Sequence, residues 1–136
     1  MSDENKAVIR RLYNEAIGGG DLAVIDELYA HDVKLHLPGI PEDPYGPEPV
    51  KRLIALVREA FPGIGVTIED LVAEHDKVVA SVVFRGPHLG RGQGASPQDP
   101  LVAWARIDIY RLFEGRIVEQ WADRDDLGAL HQLGIT

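Results

Sequence analysis

Trp104-Ala-Arg-Ile-Asp-Ile-Tyr-Arg-Leu-Phe-Glu-Gly-Arg-Ile-Val-Glu-Gln-Trp-Ala-Asp123 reads as two strands joined by a tight turn at Glu114-Gly115. Side chains alternate across a strand, so Trp104, Arg106, Asp108 and Tyr110 share one face. Glu119, Trp121 and Asp123 share a face of the partner strand by the same alternation. A two-residue turn fixes the register of a hairpin. It predicts Phe113 opposite Arg116, Tyr110 opposite Glu119, Asp108 opposite Trp121, and Arg106 opposite Asp123. One sheet face then carries two indoles, a phenol, three carboxylates and a guanidinium. A purely structural core has no need of that mixture. A ligand pocket does, and so does an interface between subunits.

The hairpin closes a longer series of elements. Towards the N-terminus, Val78 to Arg85 and Val66 to about Glu74 read as two more strands, turning at His75-Asp76. Val66 and Ile68 change parity against Leu71 and Ala73, which predicts a β-bulge near Glu69-Asp70. Before them, Glu48-Pro49 opens a helix whose buried side is Val50, Leu53, Ile54, Leu56, Val57 and Ala60, and Phe61-Pro62-Gly63 ends it. Val33 to Leu37 reads as a strand. At the N-terminus, Ala7, Val8, Leu12, Tyr13, Ala16 and Ile17 recur at helical spacing up to Gly18-Gly19-Gly20. Asp21 is placed to cap a short second helix with Leu22, Val24, Ile25, Leu28 and Tyr29. Pro38 to Pro49 and Pro87 to Pro100 are Gly/Pro-rich loops of the length that rims or covers a site. Leu127 to Leu133 reads as a terminal helix or turn. Helices segregated from a meander of strands indicate an α+β fold. The arrangement expected is a cone: a strongly curved, mostly antiparallel sheet wrapped around three helices. Residues 1–136 form one domain in this reading.

Composition narrows the function. The chain has 136 residues, 45% of them hydrophobic, and a formal charge of -8. That charge argues against binding nucleic acid or an anionic membrane surface. The chain has no cysteine, which excludes disulfides, thiolate metal sites and a cysteine nucleophile. It fits a reducing cytoplasm. The first residues, Met-Ser-Asp-Glu-Asn-Lys6, are too polar and acidic for a signal peptide. No apolar run approaches the roughly 20 residues of a membrane span.

Several segments together resemble the SnoaL-like polyketide cyclases. They are Leu12-Tyr-Asn-Glu-Ala16 with Gly20-Asp-Leu22, His31-Asp-Val33 and Gly39, and Phe61-Pro-Gly63 with Val66-Thr-Ile-Glu-Asp-Leu-Val-Ala-Glu74. Phe84-Arg-Gly-Pro-His88-Leu-Gly90 is similar to the family's Phe-x-Gly-Thr-His-x-Gly. Ile107-Asp-Ile-Tyr-Arg111, Gly115-Arg-Ile-Val-Glu-Gln-Trp121 and Asp125 to Gly134 match the family's last hairpin and terminal segment. The resemblance covers nearly the whole chain. It implies the nuclear-transport-factor-two-like cone and a homodimer through the outer sheet face. It also implies intramolecular aldol ring closure of a polyketide without cofactor or metal.

One departure bears on mechanism. The family often has His where this chain has Asp108, and Asp directly after the Trp, where this chain has Ala122. Those positions hold the family's usual acid/base pair, and alanine transfers no proton: either Asp123 or Asp125 takes the role, or the chemistry differs, or there is none. Ring closure needs a base next to a carbonyl, a donor for the oxygen that becomes negative, and a pocket that folds the substrate. Asp108, set against indoles in the predicted register, ranks first as acid/base. Asp123, opposite Arg106, ranks second. Trp104, Arg106 and Trp121 are expected to line the site, with Tyr13 reaching it from the first helix. His36, alternating away from Leu35 and Leu37, faces either the cone or solvent. His88 sits in a loop at the expected mouth.

Other patterns carry less. The five histidines lack the spacing of a metal site. Gly90-Arg-Gly-Gln-Gly94 lacks the Lys-Ser/Thr of a phosphate loop, and no serine stands in a Gly-x-Ser-x-Gly setting. Asp123-Arg-Asp-Asp126 reads as a solvated turn. The expected activity is cyclisation or isomerisation of a hydrophobic, oxygenated small molecule. Two alternatives stand beside it: a water-activating hydrolase of the limonene epoxide type, using Arg106 with Asp108 and Asp123, and a non-catalytic ligand carrier.

Overall fold

A computed structural model of the chain describes residues 2–37, 46–87 and 101–122. The first helix, α1, spans Ser2–Arg11, with Asp3 and Glu4 in its first turn and Arg10 and Arg11 in its last. Charges so placed complement the helix dipole. The helix then continues from Leu12 to Gly18 as a π-helix, a wider form that the periodicity of the apolar residues does not distinguish from α. Just beyond its C-cap, Gly19, stands Gly20, whose φ of 76° suits a residue without Cβ. The Arg58 guanidinium supplies a second reason for glycine there, because a Cβ would lie 2.8 Å from its Nε. Arg58 Nη1 donates to the carbonyls of Ile17 at 2.6 Å and Gly18 at 2.9 Å, capping the end of the π-helix.

Helix α2 is Ala23–Leu28, shorter than its apolar pattern. Leu22 occupies its N-cap and no side chain caps it, so the capping role expected of Asp21 is not realised. Strand β1, Tyr29–His36, begins earlier than the alternation from Val33 implied. Tyr29 leaves the helix because it is buried and pairs with Ile117. Helix α3 is Glu48–Ala60, with Pro49 in its first turn, where a missing N–H is harmless. Strands β2 (Gly65–Glu74), β3 (Lys77–Pro87), β4 (Leu101–Phe113) and β5 (Arg116–Ala122) follow. The first pair turns at His75-Asp76, and the register shifts between Ile68 and Asp70, at the expected bulge.

The five strands form one sheet in the order β1-β5-β4-β3-β2. All pairs are antiparallel except β1 with β5, which is parallel. The result is the expected α+β fold, three helices against a curved, mostly antiparallel sheet. The core lies between them: Ile9, Leu12, Ile25, Tyr29, Val33, Val78, Val82 and Ile117 are all fully buried. The terminal helix expected over 127–133 and most of both Gly/Pro-rich loops lie outside the described residues.

The β4–β5 hairpin corrects the predicted register. Glu114 and Gly115 both have positive φ, 50° and 78°, the signature of a two-residue turn with the right twist. Phe113 then faces Arg116, as expected, and Leu112 faces Ile117. Beyond that the pairing slips by one residue, so Arg111 faces Glu119, Tyr110 faces Gln120, Ile109 faces Trp121 and Asp108 faces Ala122. Val118 is the extra residue of a bulge. A one-residue slip moves every later side chain to the other face. Gln120 therefore joins Asp108 and Tyr110, while Glu119 and Trp121 go to the opposite side.

Candidate functional site

The inner face of β4 supplies the site. Trp104, Arg106, Asp108 and Tyr110 line a pocket whose volume, with the part open to solvent, is about 490 Å³. Leu12, Tyr13 and Ile17 line it from the π-helix, Val50, Leu53, Ile54 and Val57 from α3, and Tyr29, Leu37, Phe84 and Gln120 from the strand side. The walls are apolar, and the polar groups gather at one end. Ile107 and Ile109, which alternate with the polar residues of β4, are 45% and 37% exposed. The polar face of the strand is thus the covered one.

Asp108 is the centre of the polar end and is 1% exposed. Arg106, two residues back on the same face, donates to it twice: Nε to Oδ1 at 2.7 Å and Nη2 to Oδ2 at 2.8 Å. The fork of a guanidinium matches a carboxylate in this bidentate geometry. Gln120 Nε2 donates to Oδ2 at 2.8 Å, and the Tyr110 hydroxyl donates to it at 3.2 Å. The Gln120 carbonyl accepts from the Tyr29 hydroxyl at 2.5 Å, which fixes the amide orientation. The hydroxyls of Tyr13 and Tyr110 lie 2.6 Å apart, their rings nearly perpendicular. All of these groups except Arg106 are fully or almost fully buried, so every polar atom in the cluster relies on its neighbours.

The surroundings set the charge states. Burial opposes the cationic form of Arg106, but the charge and hydrogen bonds of Asp108 outweigh it and raise its pKa. Burial above all pushes Tyr13, Tyr29 and Tyr110 above the ordinary phenol value, and the negative charge of Asp108 adds to it, after Tyr13 in the case of Tyr29. The three phenols are therefore neutral hydrogen-bonding groups at physiological pH. The ensemble is one ion pair inside a shell of neutral donors. Among the described residues, no three His, Asp or Glu side chains converge as a metal site would require.

Aromatic stacking fixes the wall nearest Arg106. Trp104 packs against Phe61 at 4.8 Å and Phe84 at 5.3 Å between ring centroids. Gly86 makes room for that cluster, since a Cβ there would come within 3.3 Å of Phe61 Cβ.

The sequence-predicted residues divide. Tyr13, Trp104, Arg106 and Asp108 line the pocket. Trp121 and His36 do not. They lie on the outer face, stacked at 5.3 Å and 16°, with His36 Nε2 2.7 Å from Glu119 Oε2. Glu119, once expected opposite Tyr110, is held there by Arg111 at 2.6 Å. The Arg111 hydrogen bonds, supported by His36 and opposed by partial burial, keep its carboxyl below the usual range. Lys77 caps the exposed side of Trp121, 5.6 Å from its ring centroid. The Arg106 guanidinium, expected opposite Asp123, engages Asp108. Asp123 itself and His88 lie outside the described residues. Tyr29 and Gln120 are the residues that sequence reasoning missed. Gln120 was hidden by the bulge, for which the adjacent apolar pair Ile117-Val118 is the one available signal.

Ala122, at the position of the family's expected acid, faces Asp108 directly across the strands. It brings no titratable group to the cluster.

Comparisons with known proteins agree with the fold. A family model described as SnoaL-like polyketide cyclase matches residues 7–133. IdmH from Streptomyces antibioticus, a candidate polyketide cyclase, is 32% identical, with a TM-score of 0.77 over 96% of this chain and 98% of that one. A candidate polyketide cyclase from Bacillus cereus is 28% identical, with a TM-score of 0.77 over 97% and 81%. AclR from Streptomyces galilaeus, a candidate hydroxylase, shares the fold at 22% identity, with a TM-score of 0.76 over 100% and 88%. No protein of curated function matches the chain.

Proposed function

The chain belongs to the SnoaL-like polyketide cyclase family, and on that premise we propose that it is a cofactor-independent cyclase or isomerase of a hydrophobic, polyketide-like small molecule. One observation carries this reading: a buried carboxylate, Asp108, braced by Arg106, Gln120 and Tyr110 at the polar end of an apolar pocket. The apolar walls from α3 and the π-helix fold the substrate. Asp108 takes the proton next to a carbonyl, and Arg106, which stays cationic, stabilises the oxygen that becomes negative. The resulting carbon nucleophile attacks a second carbonyl of the same molecule, and the new alkoxide takes the proton back. With Ala122 opposite it, Asp108 performs both transfers, or Asp123 shares them. The test is incubation with synthetic poly-β-ketone esters, separating ring-closed isomers by chromatography. Asp108→Asn should abolish closure; closure undiminished in that variant would remove Asp108 from the mechanism.

The Arg106–Asp108 pair also favours a second reading, a water-activating hydrolase of the limonene epoxide type. Reaction in water labelled with heavy oxygen separates the two, because only hydrolysis places the label in product. Saturable binding with no chemistry would favour a ligand carrier.

The homodimer expected from the family has a surface suited to it. Val72, Val79, Ile109, Trp121 and His36 are paired in register, strand to strand, into one row across the outer face. The next row, Glu74, Lys77, Arg111, Glu119 and Lys34, mixes both charges. An apolar band edged by mixed charge is the composition of a subunit interface.

A further inference from the structure

We infer that the substrate's proton enters the site through the Tyr13 hydroxyl and passes by way of Tyr110 to Asp108. This rests on the reading of Asp108 as the proton acceptor. It adds a catalytic residue, Tyr13, and a relay, Tyr110, to that mechanism.

Three observations point to it. First, Asp108 is crowded. Its Oδ2 receives Arg106 Nη2, Gln120 Nε2 and Tyr110 OH, and its Oδ1 receives Arg106 Nε. A substrate proton coming straight to Oδ2 must displace one of three donors. Second, the hydrogen bonds run in one direction. Tyr110 spends its only hydroxyl proton on Asp108, so in the 2.6 Å contact Tyr13 is the donor and Tyr110 the acceptor. Protons are already ordered from Tyr13 to Tyr110 to Asp108. Third, the Tyr13 oxygen makes that single hydrogen bond among the described residues, and Tyr13 lines the pocket from the π-helix, a separate wall. Its oxygen keeps lone pairs for an incoming proton.

The step balances without any co-reactant. The C–H bond next to the substrate carbonyl breaks, and its electron pair stays on the substrate as an enolate. That proton bonds to the Tyr13 oxygen as the Tyr13 proton moves to Tyr110. The Tyr110 proton moves to Asp108 Oδ2. Both phenols end neutral and Asp108 ends protonated. Reversal returns a proton to the alkoxide after closure. Neither phenol has to ionise, which suits groups whose burial disfavours the phenolate.

Arg58 belongs to this device as a positioning residue. By holding the carbonyls of Ile17 and Gly18 it fixes the end of the π-helix that carries Tyr13.

The experiment uses the full chain and β-tetralone, a hydrophobic ketone whose α-hydrogens exchange in heavy water, followed by mass spectrometry. Wild type should accelerate exchange. Tyr13→Phe and Tyr110→Phe should each lower the rate about a hundredfold, and the double variant should fall no further, because the two hydroxyls act as one unit. Full exchange in Tyr13→Phe, with exchange lost in Asp108→Asn, overturns the relay and leaves the acid/base reading standing. Saturable quenching of Trp104 fluorescence by β-tetralone in a Trp121→Phe background, with no exchange, removes that reading and the relay with it. A ligand-free measurement decides independently. In protein isotope-labelled at tyrosine Cζ, Asp108→Asn should move the resonances of both Tyr110 and Tyr13. A Tyr13 resonance that stays in place overturns the relay.

Discussion

The two faces of strand β4 have exchanged the roles that hydropathy alone would assign them. The inner face, with Arg106, Asp108 and Tyr110, is polar and buried, while the outer face, with Ile107 and Ile109, is aliphatic and exposed. On the inner face each polar group finds its partners inside the protein, so stability depends on a complete set of hydrogen bonds. On the outer face the apolar side chains have solvent for a neighbour, and the charged pairs beside them, such as Arg111 with Glu119, sit at its surface. The contrast teaches that hydropathy alone does not say which face of this strand is inside. Curvature and helix placement decide that, and the chemistry of the inner face follows from it.

The largest effect that would sharpen the contrast comes from separating the buried pair. Asp108→Ala should destabilise the fold by about 3–5 kcal/mol in urea melts, because it strands the Arg106 charge. Removing both charges together, as Arg106→Met with Asp108→Leu, should recover much of that loss. Equal destabilisation by the single and double changes would mean that the pair is not the source. Alkaline pH attacks the same face. The folded-state pKa values of Tyr13, Tyr29 and Tyr110 are raised, so their contribution is complete below the ordinary phenol value of 10.0 and lost as pH rises beyond it. In that window the unfolded chain has released protons that the folded chain still holds. Three phenols should together lower stability by up to about 4 kcal/mol per pH unit, read as tyrosinate absorbance appearing together with unfolding.

Gln120→Leu should cost about 1–3 kcal/mol, since it leaves the Tyr29 hydroxyl without its acceptor and removes a donor from Asp108. Adding Tyr29→Phe should soften that loss, and a purely additive pair would argue against the shared bond. The smallest effect belongs to the outer face. Ile109→Lys should change the stability of the protomer by no more than about 0.5 kcal/mol, yet disrupt the proposed homodimer in sedimentation measurements. A large loss of stability in an isolated protomer would break the distinction between the two faces.

Much of the architecture was legible because it rests on local rules. The bulge at Glu69 was announced by the parity change between Ile68 and Leu71, and the end of α3 by Phe61-Pro62-Gly63. Half of the site was legible for the same reason: Trp104, Arg106 and Asp108 share a parity within one strand, and no later event disturbs it. The other half depended on pairing. A single extra residue, Val118, exchanged Glu119 and Trp121 for Gln120, and a bulge so close to a tight turn leaves almost no pattern behind. Tyr29 escaped notice because its helical spacing from Ile25 concealed that the chain had already become strand. His36 was ambiguous by alternation alone. Its parallel pairing with Trp121 settled its face, and parallel partners distant in sequence leave no local trace.

The π-helix that carries Tyr13 has a consequence for how this protein tolerates changes in length. A π-helix behaves as an α-helix into which residues have been inserted, so Leu12–Gly18 is stretch that the helix could shed. Deleting one residue there need not unravel the element, because the backbone can relax into ordinary α geometry. The bearing of everything upstream would turn, however, and Ile9 would rotate away from the core while Tyr13 left its tyrosine partner. The segment works as a vernier between the anchored N-terminal turns and the pocket. Its length, more than its composition, is the variable to which the site should be most sensitive.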